Sequence, residues 1–195
     1  MRIITGTAKG VRLETLEGEN TRPTTEKIKE AVFSAIQFDI EGCRTLDLFA
    51  GSGQLGLEAL SRGAQSCMFV DSERDAMEIV KRNAQKTKFF DKSRFLVSDY
   101  RNYVRKAGGK DGFDLIFIDP PYADKAVGDA LERILRAGIA KPRCIFVCES
   151  GDENIFEGKE HIKDRFTVKK SASYGRVFIN ILTLADEGDA SEDGE

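Results

Sequence analysis

Two stretches of this 195-residue chain carry residue types and spacings that could do chemistry. The first is Leu46-Asp47-Leu48-Phe49-Ala50-Gly51-Ser52-Gly53-Gln54-Leu55-Gly56, in which Gly51, Gly53 and Gly56 satisfy GxGxxG. Such glycines permit a tight turn and let backbone N–H groups approach a ligand at the positive end of a helix. Asp71 ends the next apolar run, 20 residues after Gly51. A carboxylate there suits ribose hydroxyls. A ligand-free strand-to-helix turn would use the same glycines, so the motif alone is weak. The strand before it, the helix after it and the acid after the second strand make a nucleoside ligand the better reading. These features do not separate NAD(P) from S-adenosylmethionine. Asp47, inside the first strand, suits a cationic amino group better than a pyrophosphate. Asp99, after Leu96-Val97-Ser98, is placed to accept from an adenine amino group, to cap the helix that follows, or both.

The second stretch is Asp119-Pro120-Pro121-Tyr122, after the apolar run FDLIFI. Two prolines fix the backbone and remove two N–H donors. The Asp119 carboxylate and the Pro120 carbonyl are then acceptors without local competition, which is what holding an –NH2 group requires. Tyr122 can stack on a planar base. In isolation a rigid strand-ending turn explains the tetrapeptide equally well. Beside the glycine loop, Asp71 and Asp99, the functional reading is preferred.

The elements that must position these residues are legible from periodicity. Strand-like runs at Thr45–Phe49, Ser66–Asp71, Arg94–Ser98, Phe113–Asp119 and Arg143–Glu149 alternate with helical runs at Leu55–Ser61, Glu73–Gln85, Tyr100–Lys106 and Ala126–Ala137. Apolar strands alternating with helices predict a parallel sheet covered on both faces. Residues 2–16 read as a short hairpin bending near Gly6 and Gly10. Arg22-Pro23-Thr24-Thr25 opens a helix whose apolar stripe is Ile28, Ala31, Val32, Ala35 and Ile36. Arg165–Ser173 and Arg176–Leu184, joined through Tyr174-Gly175, predict a terminal antiparallel hairpin. The expected organisation is a hairpin extension over 1–20, one α/β domain over 21–184 and an acidic, disordered tail over 185–195.

The formal charge of −3 and pI near 5.5 argue, taken alone, against a polyanion partner. The average conceals an asymmetry. The tail carries Asp186, Glu187, Asp189, Glu192, Asp193 and Glu195 and no base; without these six, 27 of the 33 acids remain against 30 bases, a formal +3. The tail could shield basic surface from non-specific RNA. Residues 81–110 hold ten bases against Asp91 and Asp99. For Lys81, Arg82 and Lys86 a solvated helix face is the preferred reading. Cys43, Cys67, Cys144 and Cys148 lack metal-ligand spacing and His161 is the single histidine, so no metal site is expected. Cys144 and Cys148 should share one strand face as buried, reduced side chains. No apolar run reaches the length of a membrane span and the N-terminus lacks a secretory stretch, so a cytoplasmic monomer is expected.

RIITGTAKGVRL, TRPTTEKIKEAVFSAI, LDLFAGSGQLGLEALSRGA, DPPY and SASYGRVFINIL, in that order from Arg2 to about Leu184, resemble the bacterial 16S rRNA (guanine-N2) methyltransferases that modify guanine 966. These are class I S-adenosylmethionine-dependent enzymes. The resemblance implies a three-layer, Rossmann-like, mostly parallel seven-stranded sheet with an N-terminal hairpin. It implies that Phe49, Ala50, Gly51, Ser52 and Gly53 hold the methionine end of the cofactor. Asp71 would hold the ribose, Ser98 and Asp99 the adenine side, and Asp119, Pro120, Pro121 and Tyr122 the target guanine, with Asp119 also at the cofactor. Arg22 and Thr24 would lie beside the active site. The implied partner is 16S rRNA within an assembling small subunit. Asp71 stands where relatives commonly carry Glu, and the acidic tail is outside the family pattern. For RNA phosphate the candidates are Lys9, Arg12, Arg22 and Arg176, with Arg2, Lys169 and Lys170 beside them. Three other readings stay open. One is an NAD(P)-dependent oxidoreductase, which leaves DPPY unexplained. Another is a methyltransferase for DNA amino groups or protein glutamine. The last is a non-enzymatic RNA-binding module.

Overall fold

The computed structural model describes residues 1–15, 26–109, 112–121 and 126–185. Five α-helices and seven strands are present among them: α1 (Glu26–Ala35), β1 (Arg44–Asp47), α2 (Gln54–Ser61), β2 (Ser66–Asp71), α3 (Arg74–Lys86), β3 (Ser93–Val97), α4 (Tyr100–Ala107), β4 (Phe113–Ile118), α5 (Ala126–Ala137), β5 (Ala140–Ser150), β6 (Phe166–Tyr174) and β7 (Val177–Leu184). The strands form one sheet in the order β3-β2-β1-β4-β5-β7-β6. The first five are parallel, and β7 is antiparallel to both β5 and β6. This is the three-layer arrangement expected from periodicity and from the resemblance.

Each face of the sheet has its own core. One gathers Leu57, Leu60, Phe69 and Phe117 under α1, α2 and α3. The other gathers Val70, Ile116, Leu131 and Phe146 under α4 and α5. Cys144 and Cys148 lie in this second core, both fully buried, as their even spacing required. The chain reverses between β6 and β7, at the Gly175-Arg176 turn. Because Ser150 pairs with Phe178 and Tyr174 with Val177, this turn lies at the carboxyl edge of the parallel strands. That edge is where open α/β sheets bind ligands.

The N-terminal hairpin is described over residues 1–15. It is one antiparallel bridge, Arg2 with Arg12, flanked by the Ile3 N–H to Val11 carbonyl and Leu13 N–H to Met1 carbonyl bonds. What holds it is α2. Ile4 and Thr5 donate their N–H groups to the Glu58 carboxylate at 2.7 and 3.0 Å. Ala8 donates its N–H to Ser61 Oγ, and Thr7 its N–H to the Ser61 carbonyl. Gly6 passes so close that a Cβ would stand 1.8 Å from the Ser61 carbonyl oxygen, and its φ is +85°. No L side chain fits there without moving backbone.

The predicted stripe of α1 is rotated. Ile28, Val32 and Ile36 are buried as expected, but Ala35 is exposed while Lys29 and Phe33 are fully buried. The hairpin covers the flank that solvent would otherwise occupy. Lys29 Nζ sits 3.3 Å from Glu58 and donates to the Arg2 carbonyl at 2.6 Å. Arg62 completes the cluster, 2.9 Å from Glu58 and over the Phe33 ring. Burial lowers the Lys29 pKa, and the Glu58 carboxylate opposes the fall.

Candidate active site

The glycine loop leaves β1 and enters α2 at the carboxyl edge. Gly51 and Gly53 have φ of +53° and +79°, the left-handed region that favours glycine. A Cβ at Gly51 would meet no heavy atom within 4 Å, so this position faces open space. Gly56 does a different job. A Cβ there would stand 2.4 Å from the Phe69 ring and 2.6 Å from Cys67 Sγ, so Gly56 lets α2 pack directly on β2. The three glycines thus divide between turn, approach to a cleft and helix–sheet packing.

The acids at this edge are tied to the loop. Asp71 accepts the Gly51 N–H at 2.8 Å through one oxygen and the Glu73 N–H at 2.9 Å through the other. It therefore fixes the loop and opens α3, while each oxygen keeps capacity for a ligand hydroxyl. Asp47 is buried and accepts the Gly56 N–H at 3.0 Å. Burial pushes its carboxyl up to about 7; the Gly56 N–H opposes the rise and the Asp71 charge adds to it. Between the unfolded value of 3.8 and about 7 the folded state holds the extra proton. This contribution to stability is therefore complete below the unfolded value and lost as pH rises through the folded one. Asp47→Asn should flatten that fall, as read by denaturant midpoints of both proteins between about pH 5 and about pH 8; parallel profiles would place the titration elsewhere.

Asp99 caps α4, accepting the Arg101 N–H at 2.9 Å, so the capping role assigned from sequence is present. Ser98 is held by its N–H to the Asp71 carbonyl at 2.8 Å, which brings the ends of β2 and β3 together. Phe49 packs against Tyr100 with ring centroids 5.0 Å apart, and the Tyr100 hydroxyl donates to Asp129 at 2.7 Å. The start of α4 is thereby tied both to the glycine loop and to α5. Ala50 and Ser52 are buried in the loop, the first donating its N–H to Val70. Asp119 and Pro121 follow β4 at the same edge, with Pro120 buried and Pro121 exposed. Tyr122, Arg22, Thr24 and residues 186–195 of the acidic tail lie outside the described residues.

The basic candidates separate in space. Arg176 is exposed in the turn at the carboxyl edge. Lys9 and Arg12 are exposed, whereas Arg2 is paired with Glu26 at 3.0 Å. Lys9 follows the segment held by Ser61 at the far end of α2, roughly 12 Å of helix from the glycine loop. Lys81 and Arg82 are paired with Glu78 and Glu14, in keeping with a solvated face.

Two residues that shape the site escaped sequence reading. Glu58 anchors the hairpin, as described above. Asn83 accepts the Glu14 N–H and donates to the carbonyls of Glu14 and Ser52, joining the N-terminal segment to the glycine loop through α3. Neither gave a signal: Gln54, Glu58 and Ser61 fall at i, i+4 and i+7 on α2 and read as a solvated stripe, although Glu58 and Ser61 are buried.

Residues 1–183 match the protein family described as Conserved hypothetical protein 95. The chain belongs to that family. It is 43% identical over 126 residues to "Putative rRNA methyltransferase YlbH" of Bacillus subtilis (strain 168), covering 64% of this chain and 68% of that protein. It is 30% identical over 151 residues to "Ribosomal RNA small subunit methyltransferase D" of Haemophilus influenzae, covering 77% and 78%. Among solved structures, "Putative methyltransferase yhhF from Escherichia coli" superposes with a TM-score of 0.83 at 26% identity, covering 94% of this chain and 97% of that one. The family match takes in the hairpin, the glycine loop and the DPPY segment together. No helix among the described residues is long and apolar enough to cross a membrane.

Proposed function

We propose that this chain transfers the methyl group of S-adenosylmethionine to the exocyclic N2 of a guanine in small-subunit ribosomal RNA. The observation that carries the reading is the convergence of the glycine loop, Asp71, Asp99 and Asp119-Pro120-Pro121 on one edge of one sheet. The open space at Gly51 and the carboxylates ending β2 and β3 fit an adenosine-bearing cofactor. Relatives named as ribosomal RNA small subunit methyltransferases support the substrate class. The choice of guanine N2 rests on the resemblance in motif order.

The cofactor supplies a methyl group activated by a sulfonium. The protein's part is orientation and electrostatics. The lone pair of the amino nitrogen is delocalised into the guanine ring, so the free amine is a poor nucleophile. Asp119 and the Pro120 carbonyl would accept its two N–H bonds, drawing the nitrogen toward tetrahedral geometry. As N2 becomes cationic the Asp119 carboxylate is stabilising, and either it or water takes the proton. Tyr122 would stack on the base, worth about 1–3 kcal/mol in single-strand recognition. A base edge is reachable only when the base is unstacked, as in single-stranded loops.

The deciding experiment incubates the protein with labelled S-adenosylmethionine and undermethylated small-subunit particles, then maps the labelled nucleotide. Label at N2 of one guanine is expected; label on another base or on protein would replace the reading. Lys9 and Arg12 are proposed to contact RNA phosphate away from the target base. Lys9→Glu with Arg12→Glu should weaken RNA binding and make its salt dependence shallower. Unchanged binding at moderate salt would remove both from the footprint.

A further inference from the structure

The ten bases of residues 81–110 are only partly explained by solvated helix faces. A groove of about 520 Å³ runs along the outer strand β3, between the β2–β3 face and α4. It reaches from Ser98, at the carboxyl edge, down to the opposite ends of the strands. Its floor includes Met68, Leu96 and Tyr103, and its rim carries Arg44, Arg94 and Lys106. Among the described residues no Asp or Glu lines it. The nearby Asp114 is engaged by Lys141 at 2.9 Å. The Arg94 guanidinium donates to the carbonyl of Ser93 and makes no ion pair among the described residues, and neither does Lys106. Leu96 is 39% exposed and Val97 43%, although both lie in a strand. Exposed apolar surface framed by polar groups marks interaction sites, and the volume falls within the roughly 300–1,000 Å³ of small-ligand pockets.

We propose that this groove binds one nucleotide of the single-stranded RNA flanking the methylated base. The base would lie on Met68, Leu96 and Tyr103, and its phosphates against Arg94 and Lys106. Arg94 and Lys106, with no carboxylate lining the groove, select a polyanion. An aromatic on an apolar floor selects an unstacked base over a bare phosphate or a duplex backbone. The inference rests on the RNA reading of the active site and extends it to a second contact, reached along β3 from the cofactor edge.

The test is the full chain carrying Arg94→Glu and Lys106→Glu, both exposed and outside the proposed catalytic set. Thermal unfolding and S-adenosylhomocysteine binding verify that the variant is folded, and Arg94→Gln with Lys106→Gln serves as a second, charge-neutral variant. Binding of a labelled single-stranded RNA is titrated against salt. Losing two phosphate contacts should make the slope of log K against log salt shallower by about 1.4. In the methylation assay KM for the RNA substrate should rise with kcat unchanged. A 4-thiouridine RNA should crosslink to the α4 or β3 peptide of the native protein. Equal affinity, slope and KM in native and variant proteins would overturn the groove while leaving the active-site reading intact. Loss of binding to subunit particles with naked RNA binding unchanged would also overturn it, since the groove would then read a ribosomal protein. A native protein that methylates no small-subunit RNA defeats the active-site reading; the crosslink and the salt slope still decide the groove, and their absence overturns it too.

Discussion

Asp119→Ala should lower methyl transfer on the order of 10²- to 10⁴-fold with folding intact. In the proposed reaction this carboxylate both orients the amino nitrogen and offsets the charge that develops on it. The Pro120 carbonyl is fixed by the backbone and survives the substitution, so one of two acceptors remains. Asp119→Asn keeps the shape and an acceptor oxygen but loses the charge, and should fall between alanine and the native enzyme. The reading needs single-turnover rates at saturating cofactor, because Asp119 also borders the proposed cofactor cleft. S-adenosylhomocysteine affinity, measured separately by calorimetry, separates the two roles. A near-native rate with intact binding would take Asp119 out of the chemistry and leave the turn a structural device.

Glu58→Ala should be the most destabilising single change in the described structure. Glu58 is fully buried and serves Lys29, Arg62 and the N–H groups of Ile4 and Thr5 at once. Removing it strands a buried ammonium, and breaking a buried pair from one side costs about 3–5 kcal/mol. For a chain of this size that lowers the melting temperature by roughly 6–20 °C. Glu58→Gln with Lys29→Met removes both charges and keeps an acceptor for the hairpin, so it should recover much of the loss. If the double variant melts no higher than Glu58→Ala, the cost does not lie in the stranded Lys29 charge. The hairpin should also become protease-sensitive in Glu58→Ala, because the N–H groups of Ile4 and Thr5 lose their acceptors. Cleavage no faster than in the native protein would show that the bonds to Ser61, Lys29 and Asn83 suffice to hold it.

The parts of this protein that were legible in its sequence are those decided within one or two neighbouring elements. Strand and helix runs follow from side-chain period, and the glycine turn from the positive φ at Gly51 and Gly53. Asp99 could be read as a cap because a cap depends only on the residues that follow it. The ends of β5 were less clear: the strand starts at Ala140, three residues before the apolar run, because a register shift against β4 lets Lys141 reach Asp114. The α1 stripe was read one flank short. A lysine at position 29 looks solvent-facing until a carboxylate from α2 and a carbonyl from the hairpin arrive on it.

By itself, then, the sequence determined the sheet-and-helix alternation, the cofactor-type loop and the order of motifs along one edge. Each of these is encoded locally, in backbone freedom and periodicity. Tertiary structure alone decided the partners of the charged residues. Asp47 faces Gly56 in a dry interior, Glu58 and Lys29 meet across 29 residues of chain, and Asn83 spans 69 residues to reach Glu14. The whole-chain charge of −3 was uninformative for the same reason. A charge acts through what lies within a few ångströms of it, and only the fold places Arg94 and Lys106 on one apolar groove with no carboxylate between them.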